Sequence, residues 1–120
     1  MKFGEIIFKD TENGYIVYGN DNADEFGVYH DVSIVKLGDT GEVEFAHLQF
    51  QKGNPREKVN GCFIEHILKL SSIMLENWGK SELATRETSI ARTKIDEAIL
   101  WLGKRAADRK ERGVWGTHEK

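Results

Sequence analysis

The feature that most constrains the fold is a change of hydrophobic period halfway along the chain. Before Phe50, apolar residues come in short runs rich in β-branched and aromatic side chains; after Asn60 they recur at helical spacing. Residues 3–8, 15–18, 28–37 and 43–50 read as strands. Glu12-Asn13-Gly14 and Asp39-Thr40-Gly41 punctuate them with turn chemistry, the second as a hairpin signal. An antiparallel meander of roughly four or five strands is expected. An acidic loop over residues 19–27 interrupts it. The only proline, Pro55, lies in the connector 51–55 and discourages Asn54 from the helical region.

Beyond the connector, Phe63, Ile67, Leu70 and Met74 form one helical stripe and Ile64, Leu68, Leu75 and Trp78 an adjoining one. Asn60 is a candidate N-cap and Gly79 a C-cap signal. Ser81 can cap a second helix over residues 82–112, which stops at Gly113 and buries Ile95, Ala98, Ile99 and Leu102. A two-residue break between the helices implies an antiparallel hairpin. The apolar face of the first helix is wider than one partner helix needs, so it is expected to pack on the sheet, on another subunit, or on both. The expected fold is α+β and homo-oligomeric: an N-terminal antiparallel β-sheet followed by a long C-terminal antiparallel helical hairpin. It is read as a single domain over residues 1–120, with a sheet part at 1–52, the hairpin at 58–113 and a tail at 114–120.

The net charge of −3 conceals an asymmetry. Residues 1–50 carry 10 acidic and 3 basic residues (3 − 10 = −7), and residues 51–120 carry 10 acidic and 14 basic (14 − 10 = +4). An anionic ligand should therefore go to the C-terminal half. The overall acidity argues against a broad duplex DNA interface. No apolar run approaches the ~18 residues of a membrane span, and no charged-then-apolar leader is evident. One cysteine, Cys62, suits a reducing compartment.

Catalytic patterns are sparse. His30, His47, His66 and His118 are scattered without metal-ligand spacing, so no metal is expected. The acidic loop lacks the twelfth-position carboxylate of a calcium loop, since Val32 stands there, and reads as a solvated turn. Cys62 and His66 lie one turn apart, but no third group orients them, and Cys62 reads by default as a small buried hydrophobe. No phosphate-binding glycine loop and no nucleophile elbow occurs. The second helix carries Trp101, Arg105, Arg109 and Arg112 along one side. Arginines one turn apart repel each other, so the side is either a solvated charged face or a holder of an anion beside a flat ring. Trp78 at the hairpin tip reads as a core anchor or a stacking surface, and Thr88 as a surface polar residue or a ligand contact. At ~1.5 Å per residue, roughly 35 Å separates Thr88 from Arg112, too far for one small ligand. Two hairpins related by a two-fold axis can bring the ends together.

Gln49-Phe50-Gln51, Val59-Asn60-Gly61, Arg86-Glu87, the run from Thr93-Lys94-Ile95-Asp96-Glu97-Ala98 to Trp101-Leu102, Arg105, Arg109, and Arg112-Gly113-Val114 with Gly116-Thr117-His118 carry a resemblance. They resemble the phage anti-Thoeris sponge family, the first type of Thoeris anti-defence protein, which shares its helical hairpin with anti-CBASS cyclic-oligonucleotide sponges. The resemblance implies a non-enzymatic binder, without cofactor, that acts in the cytoplasm of the host bacterium. It would hold glyco-cyclic ADP-ribose intact so that a downstream NAD-consuming effector stays off; some members also hold cyclic di- or trinucleotides at a separate site. Its implied partners are this small molecule and a second copy of the chain, as a homodimer or higher even-numbered assembly, with no membrane and no duplex nucleic acid. By motif, the tip aromatic falls on Trp78. The polar residue after Arg-Glu falls on Thr88, where the family more often has asparagine, and the arginine pair falls on Arg105 and Arg109. Arg56 and Arg112 complete the expected ligand-binding set. The tail has Trp115 where the family often has glutamate. Two readings from other classes remain beside this one: a nucleic-acid-binding regulatory module using the basic C-terminal helix, and a hydrolase of the same messengers.

Overall fold

In the computed structural model, which describes residues 3–120, four strands precede two helices: β1 Glu5–Asp10, β2 Tyr15–Gly19, β3 Asp31–Gly38, β4 Gly41–Gln49, α1 Ile64–Gly79 and α2 Arg86–Glu111. The strands form one sheet in the order β1-β2-β3-β4 with every neighbouring pair antiparallel, the expected meander. The sequence reads as one domain; the chain clusters into two compact units. One holds the sheet with residues 59–62, and the other holds residues 53–58 and 63–120.

In the sheet unit, turn chemistry works as its residue types dictate. Gly14 takes φ +81° and donates its N–H to the Asp10 carbonyl at 2.8 Å. The Asp10 carboxylate accepts the main-chain and side-chain N–H groups of Asn13, which hold its pKa below the usual range. The β3–β4 reversal falls on Asp39-Thr40, closed by Gly41. Ile16, Tyr18 and Val35 form the buried cluster on one face, with Phe3 stacked on Tyr18 at 5.0 Å.

The sequence places the start of the third strand at Val28, but β3 begins at Asp31. The acidic loop before it is the reason: most of it is exposed, as a solvated turn would be, but two of its carboxylates bind main chain. Asp24 accepts the N–H groups of Phe26 and Val28, and Asp21 those of His30 and Asp31. The His30 ring bridges Asp24 at 2.8 Å and the Gln51 carbonyl at 3.1 Å. These carboxylates satisfy main-chain donors that would otherwise join a strand ladder.

Asn60 does not cap α1. Its side chain instead pairs with both main-chain polar groups of Lys52 at 2.8 Å, while Gln51 Oε1 accepts the Asn60 N–H at 3.0 Å. Phe50 and Cys62 form a parallel bridge beside this clasp. A Cβ on Gly61 would lie 2.3 Å from the Phe50 carbonyl carbon, so only glycine fits there. Phe63 is the N-cap of α1, and His66 Nδ1 accepts its N–H at 3.0 Å.

In the helical unit, residues 80–85 join the helices, a longer link than the two-residue break expected. Ser81 belongs to that link. The N-cap of α2 is Thr85, and Gly79 ends α1 without the left-handed geometry of a C-cap glycine. Gly113 does stop α2, at φ +75°. Ile95, Ala98, Ile99 and Leu102 lie half-buried against α1. Beside them runs a polar seam that apolar spacing does not show. Ser72, buried, donates to Asp96 at 2.6 Å, and Arg92 reaches Glu76 at 2.7 Å. The hydrogen bond and charge of Lys80, then the charge of Arg92, hold the Glu76 carboxyl below its ordinary range.

The Asp24 carboxyl, held chiefly by the His30 hydrogen bond, is lowered from 3.8 to about 2. A depressed carboxyl contributes stability that is complete above its unfolded pKa and is lost as pH falls through the folded one. The midpoint of thermal unfolding should therefore fall more steeply between about pH 4 and pH 2 in the wild type than in Asp24→Asn. Equal slopes would contradict this account of the loop.

Candidate functional site

The expected binding residues fall at two ends of the hairpin, and the structure does not bring the two ends together within one chain. α2 has 26 residues, a rise of about 39 Å at ~1.5 Å each.

The turn end holds Trp78 and Thr88. Trp78 lies in the last turn of α1, 44% exposed, so it is not a core anchor within the chain. Thr88 is the third residue of α2 and its hydroxyl closes a capping box. Thr88 N–H donates to Thr85 Oγ1 at 3.1 Å, and Thr85 N–H donates to Thr88 Oγ1 at 3.2 Å. Thr88 also lines an open cavity of about 450 Å³, with Lys80, Arg86, Ser89 and Arg92 among its walls. Glu76 also lines it and pairs with Lys80 at 3.1 Å and Arg92 at 2.7 Å, which leaves Arg86 as the cationic wall without a carboxylate partner among the described residues.

The far end holds the arginines, and it departs from expectation. Arg105 is exposed and makes no ion pair among the described residues. Arg109, expected to be exposed beside it, is 5% exposed. The chain turns back after Gly113 and lays its tail on this side chain. Arg109 donates to the carbonyls of Val114 at 3.1 Å, Thr117 at 2.7 Å and Glu119. Its own carbonyl accepts the N–H groups of Val114 and Trp115 at 2.9 and 3.2 Å. Trp115 is fixed edge-on to Phe63 and lies under Lys110 Nζ. Arg112 donates to the Lys120 carbonyl and pairs with Asp108 at 3.0 Å. Arg56 joins this end through Asn54: Asn54 Oδ1 accepts the Arg56 N–H at 2.9 Å and sits 2.5 Å from where a Cβ on Gly116 would be.

Trp101 is 68% exposed, and Lys104, not Arg105, stands over its ring, at 5.3 Å. The expected row of Trp101 with three arginines is therefore split: Trp101 and Arg105 face solvent, and Arg109 faces the tail. His66 is engaged in capping α1, and no cluster of three or more metal-ligating side chains occurs among the described residues.

A family model described as the Acb2/Tad1 hairpin domain matches residues 44–107, more than half of the chain. The chain belongs to this hairpin family. Thoeris anti-defense 1 of Bacillus phage SBSphiJ7 is 41% identical over 78 residues, which cover 64% of this chain and 55% of that protein. The match thus spans little more than half of the phage protein's length. The hairpin-family region contains Arg56, Trp78, Thr88 and Arg105 and ends before Arg109, Arg112 and the tail. Sequence spacing missed the tail as a partner of Arg109. The glycines at 113 and 116, both with positive φ, were its only local signal.

The two central arginines should separate by stability. Arg109→Ala removes a buried charge-assisted network and is expected to cost about 1.5–3 kcal/mol or more. Arg105→Ala, at the exposed position, should stay within about 0.5 kcal/mol of wild type. Urea denaturation of both variants checks this; equal stabilities would contradict the burial of Arg109.

Proposed function

We propose that this protein is a phage anti-defence protein that sequesters glyco-cyclic ADP-ribose, the messenger of the Thoeris system, without degrading it, in the cytoplasm of the infected host. Membership of the Acb2/Tad1 hairpin family supports the reading, as does the name of the phage relative. In it, two hairpins pair about a two-fold axis, and each of two sites draws on both chains. Trp78 and Thr88 of one chain hold the base and sugar side. Arg105, with Arg56, Arg112 and the Arg109 region of the other, holds the pyrophosphate. Guanidinium forks suit phosphate oxygens, and an indole stacked on a base contributes roughly 1–3 kcal/mol.

The observation that carries this reading is the placement of the two residue sets at opposite ends of one 26-residue helix. A ligand about 10 Å across cannot reach both along a helix rising ~1.5 Å per residue. The exposed stripe Leu70 (56%), Met74 (51%) and Trp78 (44%) on α1 supplies an apolar surface for the second copy. Cyclic oligonucleotides are a further candidate ligand class, at a site separate from this one. The nucleic-acid reading of α2 has less support, because Arg109 is buried under the tail.

Light scattering should give an even multiple of the 13.7 kDa chain mass; a monomer at micromolar concentration would sink the shared site. A mixing experiment tests it directly. Trp78→Ala and Arg105→Ala homodimers each carry two defective sites, whereas their heterodimer carries one doubly defective and one intact site. Refolding an equal mixture should restore calorimetric binding of glyco-cyclic ADP-ribose to about a quarter of all sites, as random two-fold assembly requires. Binding no better than either parent, with heterodimers demonstrated, places each site within one chain.

A further inference from the structure

The sequestration reading leaves unexplained why an arginine at the phosphate end is buried under its own tail. We infer that Arg109 is a positioning residue: it holds residues 113–120 so that Arg56 and Arg112 are set for the anion, and it does not itself touch the ligand. This inference rests on the sequestration reading and assigns the division of labour within that site.

A guanidinium has five N–H donors. Both Nη2 donors of Arg109 are taken by the Val114 and Thr117 carbonyls, and Nη1 reaches the Glu119 carbonyl. The main chain of the same residue accepts the Val114 and Trp115 N–H groups. Side chain and backbone of one residue thus grip both edges of the turn that starts the tail. Thr117 reinforces it from within, donating its hydroxyl to the Val114 carbonyl at 2.6 Å and accepting the Glu119 N–H at 3.2 Å.

Two contacts carry this order to the other arginines. The far end of the tail gives its Lys120 carbonyl to Arg112 Nη1, which fixes a guanidinium whose Nε is already on Asp108. The middle of the tail passes Gly116, at φ +83°, directly against the Asn54 amide oxygen and the Pro55 ring. Asn54 Oδ1 in turn holds the Arg56 N–H at 2.9 Å and its Nε at 3.5 Å. Arg56 and Arg112 keep further N–H donors that these bonds do not use. Arg109 is only 5% exposed under the tail, so for it to meet a phosphate the tail would have to lift, and the Lys120 contact of Arg112 would be lost with it.

The test is a double-mutant cycle that perturbs the tail without touching Arg109. In Gly116→Ala the new methyl meets Asn54 at 2.5 Å on a backbone that disfavours any side chain, so the tail unseats while every charge remains. Calorimetry with glyco-cyclic ADP-ribose on the full-length chain, with helix content checked by circular dichroism, reads the effect. Gly116→Ala and Arg109→Ala should each bind roughly tenfold or more weakly, and the double variant should be no weaker than the worse single. Arg109→Lys should not rescue binding, because one ammonium on a flexible stem cannot span three carbonyls. Near-wild-type binding by Gly116→Ala, with a further loss of about tenfold when Arg109→Ala is added, would show direct contact and overturn the inference. A second readout needs no ligand: amide exchange at Val114 and Trp115 should quicken in Arg109→Ala, and unchanged protection would overturn the inference equally. If the wild type takes up no ligand, the sequestration reading fails and the anion-site part of the inference falls with it. The exchange measurement still decides whether Arg109 holds the tail.

Discussion

A straight helix longer than any small ligand is the constraint on which the site depends. α2 spans 26 residues, and its capped N-terminus and its arginine-bearing C-terminal end cannot meet inside one hairpin. The chain must therefore complete a site with a second copy or use its two ends for different things. The exposed apolar stripe of α1 favours the first. A hairpin whose seam includes a buried serine–aspartate bond and an arginine–glutamate pair is set in register by polar partners, and its remaining apolar surface is left for another surface to cover.

Charge is divided to match. The acidic half of the chain uses its carboxylates on its own backbone: Asp10, Asp21 and Asp24 accept main-chain N–H groups in the sheet unit. Asp31 is held low chiefly by the Asn20 amide, with His47 beside it. These groups are structural, and they leave the excess positive charge of the second half facing outward at Arg86 and Arg105. An anion drawn to this protein meets the hairpin unit's cations.

Much of the fold was legible in the sequence because its causes are local. Turn residues marked the first and third of the three strand reversals, and the change of hydrophobic period marked the strand-to-helix transition. Helix ends were less legible. Asn60 and Ser81 have N-cap chemistry, but Asn60 is committed to Lys52 and Ser81 to the link, and Thr85 and Phe63 hold the cap positions. Gln51 and Asn60, within motifs that carried the family resemblance, act in a clasp beside the Phe50–Cys62 bridge, a role no spacing states. Of the site residues, Trp78 and Arg105 lie at opposite ends of the hairpin, as the spacing implied, but the exposure of Trp78 was not legible, because its apolar stripe reads equally as a core anchor. Arg109 was misread as exposed because its partners are backbone carbonyls of a tail that has no periodicity of its own.

Holding a messenger and destroying it are alternatives that the chemistry of the bound molecule separates. The protein offers forks, a stacking surface and helix-end donors, and its histidines His30, His47 and His66 are engaged in structural bonds. The most direct measurement incubates the protein with glyco-cyclic ADP-ribose, removes free ligand, heat-denatures the complex and identifies the released small molecule by mass spectrometry. The account predicts recovery of the unaltered cyclic messenger in stoichiometric amount. Release of a linear or hydrolysed product would make the protein an enzyme and contradict it.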